Sequence, residues 1–277
     1  MLTLALSWLM AAALTLTTWL TGPLPAGPRP AARVPTPNAA PHPLSEDLTR
    51  YAESRSDTFS VGVFDEQSHQ FTAYRPTDSY DNASIVKVNI LETVMWQAQR
   101  AHRWLSTWEQ EQGVHMIRHS DNDAASALWR HVGGAGGVRA YDRTIAVKGT
   151  SFDPGGAWGL TRSIVQDQTV LIRAVGSGVG PLSARSRSFV RFQMSHVEPD
   201  QWWGVSAGVP LGALVELKNG WLPRSSHGWR INSIGHVRDS SHDYDIAVLS
   251  TNNPSMRYGV DTVQEVSRLV YRDLGRR

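Results

Sequence analysis

Apolar and polar positions alternate in residues 58–64 (TFSVGVF) and 70–74 (QFTAY), on either side of the turn-forming stretch DEQSH, which predicts a β-hairpin. Further strands are expected at 213–217, 229–237 and 244–249. Helical spacing replaces the period of two elsewhere. A helix is predicted to start at Ser45, a good N-cap with Glu46 and Asp47 in its first turn. Others are expected at 84–100 and, as a pair, over 106–131, where the glycine run GGAGG at 133–137 stops the helical stretch. Near the C-terminus, Val263, Val266, Leu269 and Val270 share one face of a helix over 260–274. Strands at both ends with helices between them predict an α/β fold. Its mostly antiparallel sheet is drawn from both chain ends and flanked by helices, and an all-helical subdomain is inserted.

The start of the chain follows neither period. Residues 2–20 are uncharged and mostly apolar, and the first charged side chain is Arg29. Residues 1–22 are therefore expected to be a signal peptide or a membrane anchor, which places the rest outside the cytoplasm, secreted or anchored. Residues 23–44 hold eight of the 15 prolines and are expected to be an extended linker. The domain is expected to span 45–277.

Composition narrows the function classes. With 27 basic and 25 acidic residues, net +2, there is no basic footprint for nucleic acid. Cysteine is absent, which removes disulfides, thiolate metal sites, a cysteine nucleophile and a lipid-anchor cysteine. Apolar residues make up 41% and charged residues 19%, enough to build a sizeable core. Eleven tryptophans can fill a core or line a cleft.

Three short motifs carry chemistry in combination. Ser84 and Lys87 form S-x-x-K at a predicted helix start, where positions i and i+3 share a face and the amine can reach the hydroxyl. A desolvated lysine can lose its proton and serve as the base for serine. Ser120-Asp121-Asn122 follows 36 residues later. Its serine can relay a proton to a leaving amine and its Asn can bind a substrate carbonyl, although all three residues are also common helix caps. Lys218-Asn219-Gly220 comes 98 residues further on, at the end of a predicted strand. There the lysine can hold Ser120 and attract a carboxylate, and the glycine lets the backbone approach a ligand; a plain strand-ending turn is the competing reading.

In this order the motifs resemble those of the serine penicillin-recognising enzymes, the class A β-lactamases and penicillin-binding D,D-peptidases. The flanking stretches VGVFDEQSHQFTAYRPTDSYDNASIVKVNIL, MIRHSDNDAASALWRHVGG and YDIAVLSTNN are similar too, so the resemblance extends over most of the chain from residue 45 onward. It implies a sheet domain and a helical domain with the active site between them. It also implies Ser84 as the acylated nucleophile, Lys87 as its base, Ser120 as proton relay, Asn122 on the substrate amide, and Lys218 supporting Ser120 and the substrate carboxylate. The N–H groups of Ser84 and Trp221 would form the oxyanion hole.

Two departures stand out. Asn219 replaces the usual hydroxyl residue, Thr or Ser, that would bind the substrate carboxylate. The Glu that activates the deacylating water in class A enzymes has no counterpart, since there is no Glu between Glu111 and Glu198. Asp153 and Asp167 are the carboxylates of the corresponding stretch, and both have structural readings as turn and helix-start residues.

Rival signals are weaker. His115 and His119 have zinc-protease spacing but Met116 replaces the needed Glu. The 204–208 stretch GVSAG lacks a following helix, and GSGVG at 176–180 lacks a P-loop Lys. Trp202, Trp203, Trp221 and Trp229 fall near the third motif and can floor a cleft or pack a core.

The expected function is therefore an exported serine hydrolase acylated at Ser84 by a β-lactam or peptidoglycan-type amide and slow to deacylate, with no metal or other cofactor. The alternatives are a D,D-peptidase or esterase/amidase with the same machinery, and a non-catalytic wall-binding module. The membrane is expected to matter only through the N-terminal segment.

Overall fold

A computed structural model describes residues 45–276 except Val179 and His227. The expected leader and linker lie outside the described residues. The described chain opens with helix α1 (Glu46–Glu53), strands β1 (Thr58–Asp65) and β2 (Gln70–Tyr74), and a two-residue strand β3 (Tyr80–Asp81). A 3-10 turn at Ala83–Ile85 leads into α2 (Val86–Arg100), followed by α3 (Thr107–Arg118), α4 (Asn122–His131) and α5 (Gly134–Thr144). Next come β4 (Arg162–Ser163), α6 (Val165–Gly176) and α7 (Ala184–Met194). The chain returns through β5 (Leu214–Pro223), β6 (Trp229–Arg238) and β7 (Asp243–Asn253), and closes with α8 (Met256–Leu274).

The main sheet has the order β2-β1-β7-β6-β5, antiparallel throughout and built from both ends of the described chain. Its interior strands are covered on both sides, so β7 is buried continuously from Tyr244 to Ser250 rather than in alternation. On one face, Val263, Val266, Leu269 and Val270 of α8 pack with Leu48 of α1 and with Phe59, Val61 and Ile246. On the other, Ile234, Ala247 and Leu249 join the core of the helical insertion with Val170, Leu171 and Ala174 of α6. β3 and β4 form a separate two-stranded ribbon beside the insertion.

Several boundaries differ from the sequence expectation for identifiable reasons. Helix α4 does stop at the glycine run, with Gly133 left-handed at φ 88°, but α5 begins at once on Gly134. A Cβ on Gly137 would fall 1.8 Å from the Val132 carbonyl oxygen, so glycine here permits close packing of α5 on the end of α4. Helix α8 starts at Met256, earlier than its apolar stripe, because the Ser255 side chain accepts from Tyr258 N–H as an N-cap. Strand β5 continues past Leu217 to Pro223, so Lys218-Asn219-Gly220 lies within the edge strand, paired to β6, rather than at its end. Among the described residues, no helix is long and apolar enough to cross a membrane.

Candidate active site

Ser84 is the central residue of the 3-10 turn that precedes α2. That turn is clamped from three directions. The fully buried Asn232 of β6 donates its amide N–H groups to the carbonyls of Asp81 (2.9 Å) and Asn82 (3.1 Å), while its own oxygen accepts from Ser250 N–H. Asn82 donates its backbone N–H to Thr161 O (2.7 Å), and its side-chain oxygen accepts from the Ser163 hydroxyl (2.6 Å). Ala83 is held at φ 48°, a left-handed conformation that costs a non-glycine residue about 1–3 kcal/mol. The third clamp is steric. A Cβ on Gly220 of β5 would lie 2.7 Å from Asn82 O and 2.9 Å from Ser84 N. Gly220 therefore lets the edge strand abut the serine turn itself, a different role from the expected close approach to a ligand.

Ser120 occupies the tight link between α3 and α4, also left-handed at φ 54°. The link is made by Asp121, whose backbone N–H donates to His115 O and whose carboxylate caps α4 through Ala124 N–H (2.7 Å).

Two buried lysines converge on this link. Lys87 Nζ donates to Ser120 O (2.5 Å) and Asn122 Oδ1 (2.8 Å), and lies 3.2 Å from Ser120 Oγ. Lys218 Nζ lies 3.0 Å from the same Ser120 Oγ and donates to Asn219 O (3.1 Å) and Gln201 Oε1 (3.4 Å). Neither lysine is exposed. Desolvation lowers the Lys87 pKa to about 7, opposed by the Asp121 carboxylate. Lys218 is pushed well below the ordinary lysine value, first by burial and then by the positive charge of Lys87.

Ser84, Ser120 and Asn122 open into one cleft of about 150 Å³, together with Trp158, Gly159, Trp221 and Leu222. The Trp158 ring lies 5.0 Å from Lys87 Nζ, and its indole N–H donates to Ser126 Oγ. The structure thus brings together Ser84, Lys87, Ser120, Asn122, Lys218, Gly220 and Trp221. Asn219 departs from the expected role. Its side chain is fully buried and donates to Gln201 O (2.7 Å) and Trp203 O (3.1 Å), so its amide fastens the preceding loop to β5 instead of facing a ligand.

The two alternative carboxylates are also engaged elsewhere. Asp153 accepts from Ala157 N–H within its own turn. Asp167 is buried on Thr150 Oγ1 and Lys148 N–H, and burial raises its pKa. Of the four tryptophans, Trp221 lines the cleft with Trp203 packed against it, Trp202 is exposed, and Trp229 packs on the α8 side of the sheet. His119 pairs with Glu198, and no group of three or more metal-binding side chains occurs among the described residues.

Sequence reasoning did not identify Trp158, Asn232 or Gln201 as parts of the site. One signal was present: the chain has only three lysines, Lys87, Lys148 and Lys218, and two of them meet here. Trp158 and Asn232 lie outside any motif, and only the tertiary fold brings them in.

The fold is that of class A β-lactamases. A class A enzyme from Bacteroides cellulosilyticus superposes with a TM-score of 0.74 at 16% identity, covering 84% of this chain and 97% of that one. A variant of the last common ancestor of the Gram-negative class A β-lactamases gives 0.70 at 22% identity, covering 82% and 96%. The chromosome-encoded β-lactamase of Vibrio parahaemolyticus gives 0.70 at 16%, covering 82% and 97%. In sequence, the chain is 25% identical over 197 residues to the protein named "Putative lipoprotein LppW" of Mycobacterium tuberculosis. The match takes in 68% of this chain and 62% of that relative's length, and the Mycobacterium bovis protein of the same name matches equally. No protein-family model matches the chain.

Asn232→Ala should test how the serine turn is held. It leaves the Asp81 and Asn82 carbonyls and the Ser250 N–H without their partner in a buried setting, which should destabilise the fold by about 1–3 kcal/mol. Denaturant unfolding measures this, and an unchanged midpoint and slope would remove the clamp from the account.

Proposed function

We propose that this protein is an extracytoplasmic serine acyl hydrolase that forms an ester on Ser84. The observation that carries this reading is the convergence of two buried lysines on one serine hydroxyl beneath a cleft that Ser84 opens into. The fold of class A β-lactamases supports it.

Valence assigns the protons. A neutral amine has two N–H donors and one lone pair. On Lys87 the two donors go to Ser120 O and Asn122 Oδ1, which can only accept. Lys218 Nζ donates to Asn219 O, Gln201 Oε1 and, at 3.0 Å, Ser120 Oγ. The lone pair of Lys87 is then left for the proton of Ser84. As Ser84 Oγ bonds to the substrate carbonyl carbon, its proton passes to Lys87. The bond from that carbon to the leaving atom then breaks. Ser120 gives its own proton to the leaving atom and is reprotonated from Lys87. The Ser84 and Trp221 N–H groups serve the developing oxyanion. Gly220, by letting β5 reach the turn, brings these two backbones together.

Export is part of the reading. It is supported by the uncharged apolar run at 2–20 and by the word lipoprotein in the name of the mycobacterial relatives. These 277 residues contain no cysteine, so none of them offers a thiol for lipid attachment.

Ser84→Ala should abolish covalent labelling by penicillin-type and activated-ester probes, and Lys87→Ala should slow acylation about 10²–10⁴-fold. Because the neutral amine is the base, the acylation rate should rise with pH through about 7. Labelling that survives in Ser84→Ala, or a rate flat across that range, contradicts the assignment.

The acyl-enzyme should be long-lived. Among the described residues no carboxylate lines the cleft, and Asp121, Asp153 and Asp167 are committed to backbone or side-chain donors. A missing general base for water costs about 10²–10⁴ in the second step, or about 3–5 kcal/mol. Time-resolved intact mass spectrometry should show an adduct on Ser84 that persists for minutes. Rapid multiple turnover without an adduct would show that water is activated by another group.

A further inference from the structure

The interior of the cleft carries no charge available to a ligand. Its polar members, Ser84, Ser120 and Asn122, are neutral, and Trp158, Trp221 and Leu222 supply the rest of its side-chain surface. The N–H donors of the two lysines beneath are taken up by protein oxygens. Lys218, the cation nearest in kind to an anion receptor, is fully buried and spends its donors on Ser120, Gln201 and Asn219. Gln201 is itself buried, and its backbone carbonyl and side-chain oxygen anchor Asn219 and Lys218 respectively. The loop before β5 thus occupies the donors that would otherwise greet an anion. Next along the chain from the cleft residues, Leu160, Arg162 and Arg224 line a neighbouring hollow of about 250 Å³ together with Asp81 and Asp153. There Asp81 is paired to both Arg162 and Arg230, each at 3.1 Å, and Asp153 accepts from Ala157 N–H. The cleft interior presents no positive charge that would repay the desolvation of a carboxylate.

We infer that the acyl substrate of this site is uncharged around its scissile bond: an ester or amide whose acyl portion bears no carboxylate and rests against Trp158, Trp221 and Leu222. This rests on the hydrolase reading above and narrows it. It runs against a substrate recognised through a carboxylate. In the reaction, the Ser84 Oγ–acyl carbon bond forms and the bond to the leaving alcohol or amine breaks. The proton leaves Ser84 through Lys87 and reaches the leaving atom through Ser120, so no further reactant is needed for acylation.

The test compares the mono-4-nitrophenyl ester of adipic acid with its methyl ester, two probes that share a scissile bond and differ only in the remote charge. Acylation of the full chain is followed by nitrophenolate release and by intact mass. The methyl ester should acylate Ser84 at least about tenfold faster, the scale of leaving one charged group unpaired against the cleft wall. Leu222→Arg, which adds a cation to the cleft wall, should narrow or reverse that ratio. Equal or faster reaction of the free acid with the wild-type protein overturns the inference. Binding of both probes to Ser84→Ala, read by tryptophan fluorescence, separates the two claims. Should neither probe label the wild-type protein, tighter binding of the methyl ester upholds the uncharged cleft while the hydrolase reading fails. Tighter binding of the free acid rejects the uncharged cleft whatever the chemistry.

Discussion

Two fully buried lysine amines share one serine hydroxyl, and the rest of the site follows from that constraint. Burying one ammonium costs several kcal/mol, and two ammonium groups around a single oxygen would also repel each other. The protein meets the constraint by lowering both pKa values, Lys87 to about 7 and Lys218 well below the ordinary lysine value. It also surrounds each amine with oxygens that can only accept. The product is a base poised near neutrality, which an exposed lysine could not be.

The architecture holds that arrangement from both parts of the fold. The edge strand β5 brings Lys218 and the glycine against which the serine turn rests, and β6 brings Asn232, which holds the same turn by its carbonyls. The helical insertion brings Ser120 and Asn122 through the short link between α3 and α4. The two left-handed non-glycine residues of the site, Ala83 and Ser120, lie where these parts meet the nucleophile and its relay. Strain of this kind persists only where the surroundings over-determine the backbone, and here hydrogen bonds and packing from several elements do so.

Much of this was legible in the sequence. The hairpin, the C-terminal strands and the helical middle followed from periodicity, and the three motifs marked six of the residues that the fold gathers in and beneath the cleft: Ser84, Lys87, Ser120, Asn122, Lys218 and Gly220. What was not legible is local in space and distant in sequence. Asn219 occupies a motif position, yet its amide turns to the loop at Gln201 and Trp203, a contact that no spacing rule contains. Trp158 opens a single 3-10 turn (Trp158–Leu160), too short to leave a periodic pattern, and comes over Lys87 only through the tertiary fold. The early restart of the chain as α5 depended on the close approach of Gly137 to Val132, whereas glycine runs read from sequence alone signal termination.

With three lysines in the chain, ¹³C labelling of the lysine side chains yields a spectrum simple enough to follow each amine directly. Assigned through Lys87→Arg and Lys218→Arg, the Lys87 Cε signal should titrate near pH 7. The Lys218 signal should titrate well below the ordinary lysine range. Two signals that remain those of ammonium groups up to the ordinary lysine range would contradict the account, because Ser84 would then have no base beneath it.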